Sequence, residues 1–415
     1  MSNIKPTYKK VTENCHICVA DADTRAALGA KTSRARDLQP RWDALRAEEH
    51  AWGEPPEKVR QFIEENVSGY GHASIAEMAE LWVYMSGCGW PFSWLMADFP
   101  LFKGQEVSTR AVDVTREAAP CVGAPDAVHD LHRDFLDLFK QLKVEHTDGS
   151  GGYKFDNIRW ALPGSLRTGL TVTSNVRDSV RQAQHIQGLG GAEAALASEF
   201  IEAAKAYAPV MVSSYAKGAR APFSTWSSRA EFSESSPEYA VRLYPVNYDH
   251  TAIKRLTNAL DAAGGRKPKA HLDPMWERAA LFDIEIVCSL AAARDWHRHR
   301  RCMPWELLVY TNNRSLHINK SAYPSAKRDG VDELMQRAWD LYQSLGGVEA
   351  WYAVPFGATV LLKGRATLPQ LVYMLELRAH SVGANFEYKR QAERGLVSLR
   401  KLLPSDTSKA LGLIG

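Results

Sequence analysis

The sequence predicts an α/β protein made of two tandem modules, each a mixed sheet flanked by helices, the two packed as a pseudo-dimer. Three ordered matches between its halves carry that expectation. In the first, Val128, Leu131, Phe135, Leu138 and Leu142 recur at three- and four-residue spacing, the signature of one apolar helix face. Adding 203 to each number gives Val331, Leu334, Ala338, Leu341 and Leu345, with Gly346 set to close that helix.

The second match pairs Ala161-Leu162-Pro163-Gly164 with Ala353-Val354-Pro355-Phe356, a shift of 192. Each tetrapeptide precedes a strand-like stretch (170–173 and 359–362) and then a helical pattern (178–206 and 368–403). In the third, the apolar segments 79–89 and 279–290 have matching strand-like character. One amphipathic match would be chance; three in order at slowly changing offsets predict a repeat of about 200 residues. The Ser- and Pro-rich stretch 208–239 falls between the copies. The expected division is therefore a first module over 1–208, a linker over 209–239 and a second module over 240–415.

Composition narrows the function classes. The 415 residues are 45% hydrophobic and 24% charged, an ordinary globular balance that excludes a disordered or collagen-like chain. A net charge of +3 is too small for a nucleic-acid coat, so basic chemistry must be local. Neither a secretory h-region nor an apolar run of membrane-spanning length is visible. Six scattered cysteines fit reduced thiols in a cytoplasmic protein, and the lone Cys15-x-x-Cys18 lacks the second pair a structural zinc site needs.

Two segments carry chemistry. Residues 294–301 read Arg-Asp-Trp-His-Arg-His-Arg-Arg after the apolar run 284–293, which delivers several cations to one spot. Guanidinium forks pair with phosphate oxygens and stay charged at any working pH, although such a run also suits a solvated basic face. Residues 105–110, Gln-Glu-Val-Ser-Thr-Arg, offer an acceptor, a hydroxyl and a guanidinium within six positions. Cys302 lies beside the arginines, where its thiol pKa is expected to fall.

Together these strings resemble the R-H-R-x-x-S-x-N-E-x-S-x-R signature of flavin-dependent thymidylate synthases, split between the repeats. The second repeat keeps Arg298-His299-Arg300 and Glu306, then runs into Leu307-Leu308-Val309-Tyr310. The first has Asp98-Phe99-Pro100 in place of R-H-R, yet keeps Glu106-x-Ser108-x-Arg110, with Gln105 where the family has Asn. The family's G-H-x-[ST]-x-x-E segment is matched by Gly71, His72, Ser74 and Glu77, with only a remnant at 273–277. Its arginine three residues before L-P is Arg159 in the first repeat and Trp351 in the second; its N-x-R is Asn175-x-Arg177, against Thr367 and Pro369. Its L-R-A is Leu377-Arg378-Ala379 in the second repeat, where the first has Ile186, and Ser33 resembles a flavin-contacting serine.

The resemblance implies one composite site per pair of modules, each copy having lost what the other retains. On the flavin side it implies Ser33, Ser74, Glu77, Asn175, Arg177, Arg298, His299 and Arg300. On the nucleotide side it implies Gln105, Glu106, Ser108, Arg110 and Arg159, with Arg378 approaching the pyrimidine and His72 near the flavin as the catalytic groups. It implies FAD as cofactor, methylenetetrahydrofolate and NADPH as co-substrates, a pyrimidine nucleoside monophosphate as substrate, and a homodimer of four modules. C5 methylation of deoxyuridylate is the expected reaction. Methyl or hydroxymethyl transfer to another pyrimidine nucleotide, and a catalytically inactive flavin- or nucleotide-binding homologue, are the alternatives. A nucleic-acid binder is disfavoured by the balanced charge and by the lack of a nucleic-acid motif.

Overall fold

The computed structural model describes residues 8–10, 12–18, 57–69, 77–99, 101–110, 112–116, 119–145, 155–215, 231–232, 239–299, 302, 305–311, 314–381 and 384–413. Two compact units divide the chain. The first takes residues 1–107, 121–124 and 167–224; the second takes 108–120, 125–166 and 225–415. These units run across the expected boundaries at 208 and 240, because residues 108–120 and 125–166 pack with the second half of the chain.

The first unit is built on a five-stranded sheet in the order β1-β2-β3-β5-β4. Its strands are β1 (Tyr8–Lys10), β2 (Cys15–Cys18), β3 (Glu80–Cys88), β4 (Lys103–Glu106) and β5 (Thr168–Asn175). Every pairing in it is antiparallel, where a mixed sheet was expected. Helix α1 (Glu57–Ile63) precedes β3, and α2 (Trp90–Ala97) follows it almost without a break. After β5 come α4 (Val176–Gln187), α5 (Gly191–Tyr207) and α6 (Pro209–Tyr215). Periodicity alone reads 178–206 as one helical stretch; Gly190, at φ +76°, separates α4 from α5 because that left-handed backbone favours glycine. A second positive-φ glycine, Gly87, sits where the β3–β5 register slips between Ser86 and Cys88, a β-bulge.

The second unit contains α3 (His129–Glu145) and a sheet in the order β6-β9-β10-β8-β7. Its strands are β6 (Glu231–Phe232), β7 (Ala240–Tyr248), β8 (Ala280–Ser289), β9 (Glu306–Tyr310) and β10 (Thr359–Thr367). The parallel β6–β9 pair makes this sheet mixed. Its helices are α7 (His250–Ala262), α8 (Leu290–His297), α9 (Val331–Ser344), α10 (Leu368–Ala379), α11 (Phe386–Leu402) and α12 (Ser405–Ala410).

The two sheets share a plan. The order β2-β3-β5-β4 in one is repeated as β7-β8-β10-β9 in the other, all antiparallel. In each, the second of these strands runs straight into a short helix and the third into a longer one: α2 and α8, then α4 and α10. Asn175 and Thr367, the two positions matched at a shift of 192, both N-cap the helix that follows.

Helix α3 buries Leu131, Phe135, Leu138 and Leu142 as the spacing predicts, with Val128 buried in the preceding turn. In α9 the buried face is rotated from the expected one. Val331 and Ala338 are buried, but Met335, Trp339 and Tyr342 join them, while Leu334 and Leu341 are only half-buried. Trp339 and Tyr342 stack at 5.6 Å, and their larger apolar area decides which way the helix turns. Within this unit α3 and α9 are tied by Arg337 to Asp134 at 2.7 Å, with Arg328 bridging to Glu145 at 2.9 Å. The two matched tetrapeptides also meet: Phe356 N–H donates to the Leu162 carbonyl at 2.9 Å.

Candidate functional site

The basic segment begins inside α8, where Arg294, Asp295, Trp296 and His297 are all buried. Ser289 caps this helix, its hydroxyl accepting from the Ala292 N–H at 3.1 Å. Trp296 locks the helix onto α11: its indole N–H donates to Gln391 at 2.8 Å, and its ring meets Tyr388 edge-on at 4.2 Å. Arg298 follows at the C-cap, a position where the helix dipole favours a cation. The dipole disfavours Asp295 in the same turn, so that carboxylate needs partners.

It has them. Arg159, on a 3-10 turn and buried, donates from Nη2 to Asp295 Oδ2 at 3.0 Å. Arg298 stands 3.4 Å from Asp295 Oδ1, with its side chain half exposed. Burial pushes the Asp295 carboxyl upward in pKa, but Arg159, then Arg298 and Arg110, hold it below the usual carboxylate range. Burial likewise works against the charge of Arg159, and Asp295 reverses that effect. Among the described residues the buried Arg159 Nε has no hydrogen-bond acceptor.

Arg110 lies in the turn after β4 and is gripped by Asp156, Nε to Oδ1 at 2.5 Å and Nη2 to Oδ2 at 2.6 Å, a two-pronged pairing. The Phe155 N–H donates to the Arg110 carbonyl at 3.2 Å, which fixes this turn beside the segment bearing Arg159. From the other side, Arg378 at the end of α10 donates from Nε to His299 Nε2 at 3.2 Å and lies 4.8 Å over the Tyr388 ring. The Tyr388 hydroxyl stands 2.8 Å from His299 Nε2 and donates to the Asp295 carbonyl at 3.1 Å. Burial pushes its pKa up, so this hydroxyl keeps its proton.

The second unit thus gathers Arg110 and Arg159 from the first half of the chain with Arg298, His299 and Arg378 from the second half. Among the described residues four guanidinium groups stand with two hydrogen-bonded carboxylates, Asp156 and Asp295, an excess of positive charge that suits anionic ligands. Ser108 opens the same turn as Arg110, its carbonyl accepting from the Val112 N–H at 2.9 Å.

Other expected residues stand elsewhere. Gln105 and Glu106 end β4 in the first unit, where Glu106 accepts from the Ser93 hydroxyl at 2.9 Å. Also in that unit, Arg177 pairs with Glu77. Asn175 is committed to capping α4, with Oδ1 accepting from Asp178 N–H at 2.8 Å and Nδ2 donating to the Asp178 carboxylate at 2.7 Å. Ser33, His72, Ser74 and Arg300 lie outside the described residues.

Three members of the site were missed in the sequence. Asp295 was in view inside the basic run, but an acid among arginines reads as an interruption rather than their hub. Asp156 stands three residues before Arg159, too common a spacing to notice, and Tyr388 carries no motif signal. For Cys302 the expected lowering of the pKa is overturned, and the residue packs instead. The residue is buried, its thiol faces the Met374 sulfur at 3.7 Å, and burial pushes its pKa up to about 12. The Cys15 thiol packs on the Met85 sulfur, and among the described residues no cluster of three metal-ligating side chains occurs. Among them, too, no helix is long and apolar enough to cross a membrane.

Comparison with known proteins gives a family match in the first half of the chain. The family model described as thymidylate synthase complementing protein matches residues 17–188. No curated protein matches the chain. Among solved structures, a thymidylate synthase X from Helicobacter pylori with FAD and dUMP is 13% identical, covering 46% of this chain and 94% of its own, with a TM-score of 0.33. A UMP/dUMP methylase, PolB from Streptomyces cacaoi bound with 5-Br dUMP, is 16% identical, covering 49% of this chain and 95% of its own, with a TM-score of 0.35.

Proposed function

We propose that this chain, whose residues 17–188 match the family model described as thymidylate synthase complementing protein, is a flavin-dependent pyrimidine nucleotide methyltransferase acting at C5 of deoxyuridylate. FAD is its cofactor, and methylenetetrahydrofolate and NADPH its co-substrates. The observation that carries this reading is the convergence of Arg110, Arg159, Arg298, His299 and Arg378 around Asp295 and Tyr388. Of the divided signature, Ser108 and Arg110 from the first half of the chain and Arg298 and His299 from the second lie in one unit.

Arg110 and Arg159 are assigned the nucleotide phosphate. Asp156 and Asp295 orient the two forks in advance, which lowers the entropy lost on binding, and the unpartnered Arg159 Nε offers a further donor. Arg298 and His299 are assigned to the flavin side. The fit of an anionic dinucleotide there rests on Arg298, whose guanidinium meets solvent over half of its side-chain surface while Asp295 steadies one end. The first unit's Glu77 and Arg177, given to the flavin by the family resemblance, hold one another as an ion pair.

Arg378 is assigned the pyrimidine carbonyls. Held by His299 and the Tyr388 face, it presents a fixed positive charge where negative charge develops on the ring. Bound flavin supplies the electrons, while the protein supplies position and electrostatics. The repeated strand order of the two sheets supports a tandem duplication, and two chains would then assemble four modules.

The test separates the two sides of the site. Arg298→Ala is expected to lower flavin retention at least tenfold while sparing nucleotide affinity, and Arg110→Ala to do the reverse. Tritium released from C5-labelled deoxyuridylate reads the reaction. The reading falls if both variants show one shared defect, or if wild-type protein loaded with FAD, folate and NADPH releases no tritium.

A further inference from the structure

The second unit holds a cavity that the reading above leaves unused. It measures about 590 Å³, within the ~300–1,000 Å³ range of small-molecule sites. Its walls include His317 and Lys320 from the loop after β9, and Phe386, Glu387, Arg390 and Arg394 from the first half of α11. Two neighbouring hollows of about 400 and 460 Å³ are also lined by Arg390. That guanidinium therefore stands where three spaces meet.

The charges facing the cavity do not cancel. Lys320 is committed to Asp332 at 2.7 Å. Glu387 turns inward, accepting from Ser289 N–H and Ser289 Oγ, both at 2.7 Å, and from the Tyr323 hydroxyl at 2.5 Å; burial pushes its carboxyl up in pKa. Burial pulls His317 down, so its imidazole adds no charge near neutral pH. Arg390 lies over the Phe386 ring at 5.9 Å, and Arg394 donates to the Tyr239 carbonyl. Among the described residues neither arginine has a carboxylate partner.

The floor is rigid. Asn319 Oδ1 accepts from the N–H groups of Ser321 and Ala322 at 3.1 and 3.0 Å, and His317 Nδ1 meets the Thr359 hydroxyl at 2.8 Å. Nor does the fold demand arginine there. Counted from their first residues, α5 carries Ala195 and Glu199 at the places where α11 carries Arg390 and Arg394.

We propose that this cavity binds a phosphorylated small molecule, its phosphate between Arg390 and Arg394 and its organic part against Phe386, at a site separate from Arg110, Arg159 and Arg298. Two guanidinium groups one helical turn apart make a fork for a tetrahedral oxyanion. The aromatic face beside them favours a ring over a bare ion.

Calorimetric titration of the full chain tests the site. The probes are inorganic phosphate, deoxyuridine monophosphate and deoxyuridine. The proteins are wild type, Arg110→Ala, Arg390→Ala with Arg394→Gln, and all three substitutions combined; glutamine keeps a donor for the Tyr239 carbonyl. Arg110→Ala is expected to retain one saturable phosphate-dependent event. The two helix substitutions are expected to weaken it at least tenfold with melting temperature unchanged, and deoxyuridine is expected not to bind there. Equal affinity for phosphate and the monophosphate assigns the site to the free oxyanion; tenfold tighter monophosphate binding assigns it to the ester. The proposal is overturned if the helix substitutions leave affinity within twofold, or if no phosphate-bearing probe binds the Arg110→Ala protein. A wild-type protein with one equivalent of binding, lost on the Arg390 and Arg394 substitutions alone, would sink the nucleotide-site assignment and leave this one standing.

Discussion

Asp295→Asn isolates the charge at the centre of the arginine cluster. The buried Arg159 guanidinium lies 3.0 Å from Asp295 Oδ2. At about 4 Å between charge centres and an effective dielectric near 20, their attraction is about 4 kcal/mol. Removing one partner of a buried pair costs about 3–5 kcal/mol, because the other charge is left uncompensated. Asparagine keeps an oxygen that accepts from Arg159, so the expected loss is about 3 kcal/mol, at the lower end of that range. Arg298 is a different case. Its side chain is 52% exposed, and solvent screens its pair to about 1 kcal/mol or less. Urea unfolding followed by tryptophan fluorescence reads both, with Arg159→Met and the double variant Asp295→Asn/Arg159→Met completing a cycle expected to give a coupling of about 2–3 kcal/mol. The pH dependence adds a second arm. The folded Asp295 pKa lies below its unfolded value of about 3.9. The carboxylate's contribution is therefore full above that value and is lost as pH falls through the folded pKa. The gap between wild type and Asp295→Asn should be flat from about pH 5 to 8 and close in more acid solution. Equal losses for Asp295→Asn and Arg298→Ala, with a coupling under about 0.5 kcal/mol, would refute the buried-hub argument.

Other substitutions probe the scaffold around that hub. A Cβ on Gly164 would run into the backbone carbonyls of Val354 and Tyr352. Gly164→Ala should therefore cost about 3 kcal/mol, the top of the usual overpacking range, while Gly330→Ala, at φ +84° in open space, costs about 1–2 kcal/mol; denaturation midpoints compare them. Burial raises the folded pKa of Glu387, so its contribution is greatest below the unfolded carboxyl value and is lost as pH rises through the folded one. Glu387→Gln should flatten the decline in melting temperature over that window, measured by calorimetry from about pH 4 to 7. Cys302, buried and with its thiol pushed up to about 12, should resist a thiol-reactive disulfide reagent in the native protein at about pH 8 and react once unfolded.

Much of this architecture was legible because it is written in periodicity. The strand-like segments at 79–89 and 279–290 became β3 and β8, and the apolar face of α3 followed its three- and four-residue spacing. The α9 face did not, since leucine spacing says nothing about where Trp339 and Tyr342 find room. Unit boundaries were less legible still. Helix α3 lies in the first half of the sequence, yet two of its salt bridges are made with Arg337 and Arg328 of the second. The cations of the site could be found because arginines cluster visibly. Their carboxylate partners could not, because Asp156 and Asp295 matter only through distances that the chain order hides.

Those carboxylates also bear on what the site can bind. An isolated cluster of buried guanidinium groups would repel itself and be costly to desolvate. Asp295 and Asp156 offset that cost and aim the forks, but each neutralises charge that an anionic ligand would otherwise meet. Arg110 and Arg159 are each matched by a carboxylate, and the excess positive charge among the described residues lies with Arg298 and Arg378. Carboxylate placement thus ties stability to selectivity. The two acids that keep Arg110 and Arg159 in place without ligand also limit how much negative charge these arginines can accept, and Asp295→Asn should shift the preference toward more highly charged nucleotides as it lowers stability.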